Sequence, residues 1–512
     1  MPKQLPLVPE AYQLQAAEFI VSREASALWA EMGIGKTISA LLAVQTLRGV
    51  GKVRRVLVLA PLLVATTVWP AELSKWPEFA DLDYRLLRDK DMYLEDPPTV
   101  MIINYEMLSW FTGWDFLQAM IPCVDPALTK DALVAAQIKR EARVKREFRK
   151  GLKRLIASLE IDMLVLDECT RIKSTSSKVH EFVREIAEHI KYKVGLTGTP
   201  AADHIDDVFG QLLVLDGGAS LGAYVTHFRG RYFTKVNPRD VYSPLVLQPG
   251  ALERIHEDIK DTVLRIGAKG NVKLPDLVYR ARRFKLDSST QAAYDEMEST
   301  MITTGKDGEL HVAAAAVGAQ SKCMQLAGGA LYRNPVDPVT GMPVVHEDKY
   351  TTFGTAKLEQ LDQMLEELAG EQVLVVYWFR HERERILKRV KNVGTLNGTK
   401  ADVDVINDWN RGRLRRLMIH PASAGHGLNL PGRDAHHVVM FSTPWQNELL
   451  LQVCARLRRR GNEAETIFVH QLIAKDTIDE IVAYDKTAKS RRQEKLFKLL
   501  SPKETQACDT NT

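Results

Sequence analysis

"AEMGIGKT" (Ala30–Thr37) follows an apolar run and leads into "ISALLAVQTL", which reads as a helix. A glycine-bearing turn in that setting is built to hold phosphate. Gly33 and Gly35 let the backbone turn its N–H groups toward phosphate oxygens. Lys36 is placed to reach the β and γ phosphates of a nucleotide. The Thr37 hydroxyl is placed to ligate Mg²⁺, and the helix N-terminus adds a favourable field. Ala30, Glu31, Met32, Gly33, Ile34, Gly35, Lys36 and Thr37 form the candidate nucleotide-binding loop. Ala30 stands where the simplest pattern has Gly, and an ordinary glycine turn is the plain alternative.

A second segment weighs against that alternative. "MLVLDECT" (Met163–Thr170) is an apolar strand that delivers Asp167 and Glu168 at its C-terminal end, where open α/β sheets bind ligands. Carboxylates are costly to bury without a partner. A cation with bound phosphates is such a partner: Asp167 would hold Mg²⁺ through water, and Glu168 would orient and deprotonate the attacking water.

Short β-branched runs alternate with helical stretches on either side of these motifs. "RRVLVLAP" (Arg54–Pro61), "TVMIINY" (Thr99–Tyr105), "IDMLVLDE" (Ile161–Glu168) and "YKVGLTGTP" (Tyr192–Pro200) predict buried strands of one parallel sheet. "EQVLVVYWF" (Glu371–Phe379), "RRLMIH" (Arg415–His420), "AHHVVMF" (Ala435–Phe441) and "ETIFVHQLI" (Glu465–Ile473) predict a second. The expected fold class is α/β, with two parallel-sheet lobes and helical insertions. His436 and His437 read as strand residues rather than metal ligands.

The chain has 512 residues, enough for two or three domains. Its net charge of +4 means that a nucleic-acid surface must be a local patch. "KREARVKREFRKGLKR" (Lys139–Arg154) is one candidate, with nine basic residues against Glu141 and Glu147; a solvated helix face is the competing reading. Five scattered cysteines without a C-x-x-C pair predict neither a zinc site nor a disulfide framework. No apolar run is long enough for a bilayer and the N-terminus lacks a signal-peptide core, so a cytoplasmic location is expected.

"AEMGIGKT", "DECTRIKS" and "LTGTP" occur in the order and with the spacing of motifs I, II and III of superfamily-two helicase-like ATPases, and the chain resembles that family. "AYQLQAAEFI" (Ala11–Ile20) resembles its adenine-reading Q motif, with Gln13 as the matching residue. "EMGIGKT", "DECTRIKS" and "SAGHGLNL" (Ser423–Leu430) are most similar to the Swi/Snf-like branch, where the segments read approximately DEMGLGKT, DEAHRIKN and RAGGLGINL. "APLLVATTVWPAELSKW" (Ala60–Trp76) resembles motif Ia, "IINYEML" motif Ib, and "TIDEIV" (Thr477–Val482) the segment after motif VI. The compact form looks most like bacteriophage and bacterial versions, which for a phage protein would mean the host cytoplasm.

The resemblance covers about residues 10–485 and implies two RecA-like lobes. Residues 1–215 would be the N-terminal ATP-binding lobe, with a basic helical insertion at about 125–158. Residues 216–350 would be a helical insertion and linker, 351–485 the C-terminal helicase lobe, and 486–512 a charged helix and disordered tail. It also accounts for "LLLQVCARLRRRGNEAET" (Leu449–Thr466), whose clustered guanidiniums need an anion. Gln452, Arg456 and Arg459 match motif VI, and a 456/459 spacing on a helix would put both arginines on one face. There they would serve as arginine fingers to the γ-phosphate. Gly427 of motif V joins the cofactor-binding set by the same resemblance.

The implied activity is a nucleic-acid-dependent ATP hydrolase using ATP and Mg²⁺. It would track on double-stranded DNA and remodel protein–DNA complexes or branched DNA, with RNA the less favoured polymer and no membrane. Lys36, Asp167, Glu168, Arg456 and Arg459 would be catalytic, and Thr37 and Asp167 would hold the metal. A strand-separating DNA or RNA helicase is the enzymatic alternative, and a nucleotide-gated DNA-binding module with little turnover the alternative of another class. Cys169 and Thr170 stand where the family has Ala and His, so the link from motif II to motif III is expected to differ. His426 replaces a motif V Gly, and Asn462 replaces the Gln that commonly follows Gly461.

Overall fold

The computed structural model describes residues 6–88, 96–121, 130–240, 243–268, 271–272, 274–304, 310–312, 316–333, 349–396, 402–424, 430–459 and 462–483. The described chain forms two compact units, one through Val272 and one from Leu274 to Ala483. The charged segment and tail expected from residue 486 lie outside the described residues. No helix among the described residues is long and apolar enough to cross a membrane.

The first unit contains β1 (Ala25–Ala30), β2 (Arg55–Ala60), β3 (Tyr84–Leu86), β4 (Val100–Asn104), β5 (Ile161–Asp167) and β6 (Tyr192–Thr197). An antiparallel ribbon, β7 (Phe233–Lys235) with β8 (Leu245–Leu247), precedes β9 (Val263–Ile266). The sheet order is β3-β4-β2-β5-β6-β1-β9, every neighbouring pair parallel. Parallel neighbours need crossover connections, and the helices that supply them cover both faces, so interior strands such as β4 are buried throughout.

The long helix Lys130–Ser158 belongs to this unit. Val144, Phe148, Leu152 and Ile156, spaced four apart, are all buried on it, which anchors one stripe of an otherwise charged helix. Phe148 packs edge-on against Trp114 at 5.1 Å and lies 5.8 Å from Phe182, a burial worth about 2–3 kcal/mol for that ring.

The second unit begins with β10 (Asp276–Phe284). Two antiparallel ribbons follow, β11 (Ile302–Thr304) with β12 (Leu310–Val312), and β13 (Ala330–Tyr332) with β14 (Tyr350–Thr352). Then come β15 (Val373–Val376), β16 (Val393–Thr395), β17 (Arg416–Ile419), β18 (His437–Met440) and β19 (Thr466–Ala474). The order is β10-β19-β18-β15-β17-β16, again all parallel. This unit buries charge as well as apolar side chains. Lys357 Nζ reaches Asp479 Oδ2 at 2.7 Å, and the same oxygen accepts the Ala474 N–H at 3.1 Å. Glu382 is fully buried and accepts from the Trp378 and Phe379 N–H groups and from the Ser442 hydroxyl at 2.6 Å.

Two histidines meet across β18 and β19. His437 Nδ1 and His470 Nε2 are 3.0 Å apart, so at least one ring is neutral. Burial pulls both down to about 4, with neighbouring positive charge (His436, His470 and Arg280 for His437; Arg280 and Arg282 for His470) acting in the same direction. Between pH 6.5 and 4 the unfolded chain takes up protons that the folded unit refuses. Stability is therefore fully present above about pH 6.5 and declines as pH falls toward 4. We expect the unfolding free energy of the second unit in the full chain to drop between pH 7 and pH 5, by on the order of 1–2 kcal/mol per histidine. The double replacement His437→Gln, His470→Gln should flatten that decline; an equally steep decline in the double variant would contradict it.

Candidate nucleotide site

The phosphate loop lies where the sequence places it, between β1 and the helix Lys36–Gly49. Gly33 and Gly35 have φ of +87° and +91°, left-handed values that a side chain resists. Lys36 Nζ donates to the Ala30 carbonyl at 3.1 Å, closing the loop on itself. Thr37 stands in the first turn of the helix.

Gln13 is held against this loop. Its Oε1 accepts the Glu10 N–H at 3.0 Å, which fixes the carboxamide at the start of its own helix (Ala11–Val21). Its Nε2 donates to the Ile34 carbonyl at 3.3 Å, and the Tyr12 hydroxyl donates to the same carbonyl at 3.1 Å. A Cβ on Gly35 would come within 2.3 Å of Gln13 Nε2, so a side chain there would displace the Gln13 carboxamide from the loop. Glu31 pairs with Arg265 of β9 at 3.6 Å. Ala30, Met32 and Ile34 complete the loop, with Ala30 and Ile34 buried.

Asp167 ends β5 and is buried. Its Oδ2 accepts the Trp69 indole N–H at 2.8 Å and its Oδ1 accepts the Glu168 N–H at 3.0 Å. The Tyr105 hydroxyl donates to its backbone carbonyl at 2.9 Å. Burial raises the Asp167 pKa; the Trp69 hydrogen bond and the Lys36 ammonium oppose that rise. Glu168 adopts φ +52°, uncommon for a residue with a Cβ and costing on the order of 1–2 kcal/mol. That conformation lets its N–H reach Asp167, so the strain is spent at the acid pair.

The donor set suits a hard cation. Two carboxylates and a hydroxyl offer oxygen ligands, and a desolvated carboxylate is stabilised by positive charge beside it. Asp167 and Thr37 would hold Mg²⁺, which would screen phosphate charge.

Gln452, Arg456 and Arg459 belong to the second unit. Gln452 and the buried Arg456 lie on the helix Asn447–Leu457, where Gln452 Nε2 donates to Glu448 at 3.1 Å. The expectation of one helical face for Arg456 and Arg459 is corrected here. The helix ends at Leu457, and Arg459 lies beyond it with Nε donating to the Ala455 carbonyl at 3.1 Å. Asn462 caps this end: its side chain donates to the Leu457 carbonyl at 3.0 Å and the Ala435 carbonyl at 2.7 Å. Arg458 donates to the Pro275 carbonyl at 2.8 Å and so holds the entry to β10. Gly427, His426 and Arg460 lie outside the described residues.

Sequence reasoning did not single out Trp69, Tyr105, Tyr12 or Arg265. The first two sit inside the quoted motif Ia and Ib segments, but nothing in spacing marks an indole N–H as the donor to a distant acid. In the basic insertion, Arg149 forms a fork with Glu185 and Lys145 pairs with Glu181, so part of its charge is neutralised within the unit. Lys139, Arg143 and Lys153 are exposed and make no ion pair among the described residues.

A second domain model, the helicase conserved C-terminal domain, matches residues 356–461. Protein p41 of Acyrthosiphon pisum secondary endosymbiont phage 1 is 27% identical over 97% of this chain and 99% of its own. The uncharacterized ATP-dependent helicase YqhH of Bacillus subtilis (strain 168) is 21% identical over 92% of this chain and 76% of its own. The solved Sulfolobus solfataricus SWI2/SNF2 ATPase core in complex with dsDNA is 18% identical over 98% of both chains, with a TM-score of 0.40. The SNF2-related domain model matches residues 12–326, more than half of the chain, and the chain therefore belongs to the SNF2-related family of helicase-like, ATP-dependent enzymes.

Proposed function

We propose that this chain is an ATP-driven translocase on double-stranded DNA, with Lys36, Asp167, Glu168, Arg456 and Arg459 as its catalytic residues. The observation that carries the reading is the assembly of the nucleotide site: Gln13 fixes the phosphate loop through the Ile34 carbonyl, and the Lys36 ammonium acts on the buried Asp167. The family and the motifs resembling the Swi/Snf-like branch support duplex DNA as the polymer. The exposed Lys139, Arg143 and Lys153 offer phosphate contacts that read no bases.

In this mechanism Lys36 leaves the Ala30 carbonyl for the β and γ phosphates. Glu168 would take the proton of the attacking water, and Asp167, oriented by Trp69, would hold Mg²⁺, which would supply positive charge beside the phosphates. By their resemblance to motif VI, Arg456 and Arg459 would stabilise charge developing on the γ-phosphoryl group.

Lys36→Ala should lower turnover by about 10²-fold or more, and Glu168→Gln should bind ATP normally while hydrolysing it as slowly. Near-normal hydrolysis in either would refute the site. Duplex DNA should stimulate hydrolysis more than single-stranded DNA or RNA. Stimulation by RNA alone, or release of a labelled strand, would instead establish the strand-separating helicase. Arg459→Ala or Arg456→Ala should cut the rate at saturating ATP and DNA by about 10³–10⁵-fold with DNA affinity retained. A loss confined to DNA affinity would make this turn a DNA contact.

A further inference from the structure

The acid-bearing turn after β5 and the turn after β6 are joined by one buried side chain. Gln211, on the helix Asp207–Asp216, is fully buried. Its Oε1 accepts the Cys169 thiol at 3.2 Å, and its Nε2 donates to the Pro200 carbonyl at 2.7 Å and the Asp207 carbonyl at 3.0 Å. This amide orientation is set by its partners: two carbonyls need the NH₂ group, and a thiol proton needs the oxygen.

Both ends of this contact are closely packed. At Gly210 a Cβ would come within 2.2 Å of the Lys173 carbonyl, so the helix lies directly on the backbone that follows the acids. Lys173 ties the same two segments through Asp203 at 3.4 Å and Asp207 at 3.2 Å. The other end, Pro200, closes a turn in which the Thr199 N–H donates to Thr197 Oγ1 at 3.1 Å. Gly198 of that turn rests on the phosphate loop: a Cβ there would lie 2.9 Å from Met32 Cγ and 3.5 Å from Lys36 Nζ.

We propose that Gln211 is a positioning residue for ATP hydrolysis, which through Cys169 and Pro200 fixes the acid-bearing turn relative to the Gly198 turn lying on Lys36. Its three hydrogen bonds all go to the protein's own turns and helix. The family's Ala at position 169 could not donate to a carboxamide, so this tie belongs to the Cys169 form of the motif. The proposal rests on the assignment of Lys36 and Glu168 above.

The test uses the full chain and compares Gln211→Leu, Cys169→Ala, Cys169→Ser and the double variant Gln211→Leu, Cys169→Ala. Turnover at saturating ATP, affinity for a fluorescent ADP analogue and the unfolding midpoint are measured for each. Gln211→Leu should lower kcat by about tenfold or more while ADP-analogue affinity stays within about twofold, because geometry rather than binding is lost. Cys169→Ala should lose part of this, and Cys169→Ser, whose hydroxyl can donate, should recover most of it. The double variant should be no slower than Gln211→Leu alone. Unchanged kcat in Gln211→Leu, or rate losses that multiply in the double variant, would overturn the proposal. Should Gln211→Leu not fold, the cysteine pair decides, and equal rates in Cys169→Ala and Cys169→Ser would overturn it. Lys36→Ala and Glu168→Gln run alongside. Normal turnover in those two overturns the site assignment and the proposal with it; their loss, with Gln211→Leu intact, overturns the proposal alone.

Discussion

A carboxylate held out of water at the end of a strand is the constraint on which the first unit depends. Asp167 is charged only if its neighbourhood compensates for lost solvation. Trp69, the Glu168 N–H and the Lys36 ammonium each supply part of that compensation, and each comes from a different segment. Trp69 follows a π-helical turn at Val64–Val68, Lys36 opens the helix after the phosphate loop, and the left-handed Glu168 turns its amide back. One acid thus draws three separate connections of a parallel sheet to a common end, where the strand termini already leave room for a ligand.

The second unit applies the same physics to stability. Its charges are buried in pairs, Lys357 with Asp479, while Glu382 is satisfied by two backbone amides and a hydroxyl. Such pairs add little net free energy over apolar packing, but removing one partner is severe, because a lone buried charge remains. Asp479 also receives the Ala474 amide, so it fixes the exit of β19.

Much of this was legible in the sequence because burial on both faces leaves a continuous apolar run. The eight quoted strands all contain β-strands in the structure, with ends that differ by no more than three residues. Both glycines of the phosphate loop have the positive φ that its turn requires. What escaped was short or exposed. β9 is only Val263–Ile266, with Arg265 inside it, and β10, "DLVYRARRF", is an edge strand whose arginines conceal its period. Helix termination after Leu457 escaped as well, since the capping contacts come from Asn462, a residue past the segment whose spacing was being read. Long-range donors such as Trp69 and Gln211 leave no local pattern at all.

The pairing of β10 with β19 has a consequence for synthesis. Asp276 pairs with Thr466 and Phe284 with Ala474, so a strand made early in the second unit has no neighbour until nearly the whole unit has left the ribosome. Contacts so distant in sequence carry a large loop-closure cost and form late. In that interval β10 is an unpaired edge, the kind of segment that recruits other chains. Arg280, Arg282 and Arg283 lie along it, and like charges side by side disfavour pairing with a second nascent copy. Once β19 arrives, Arg282 settles on Gln360 and Glu367 and Arg280 over the Phe468 ring. The arginines that obscure the strand in the sequence would thus act as its chaperone during translation.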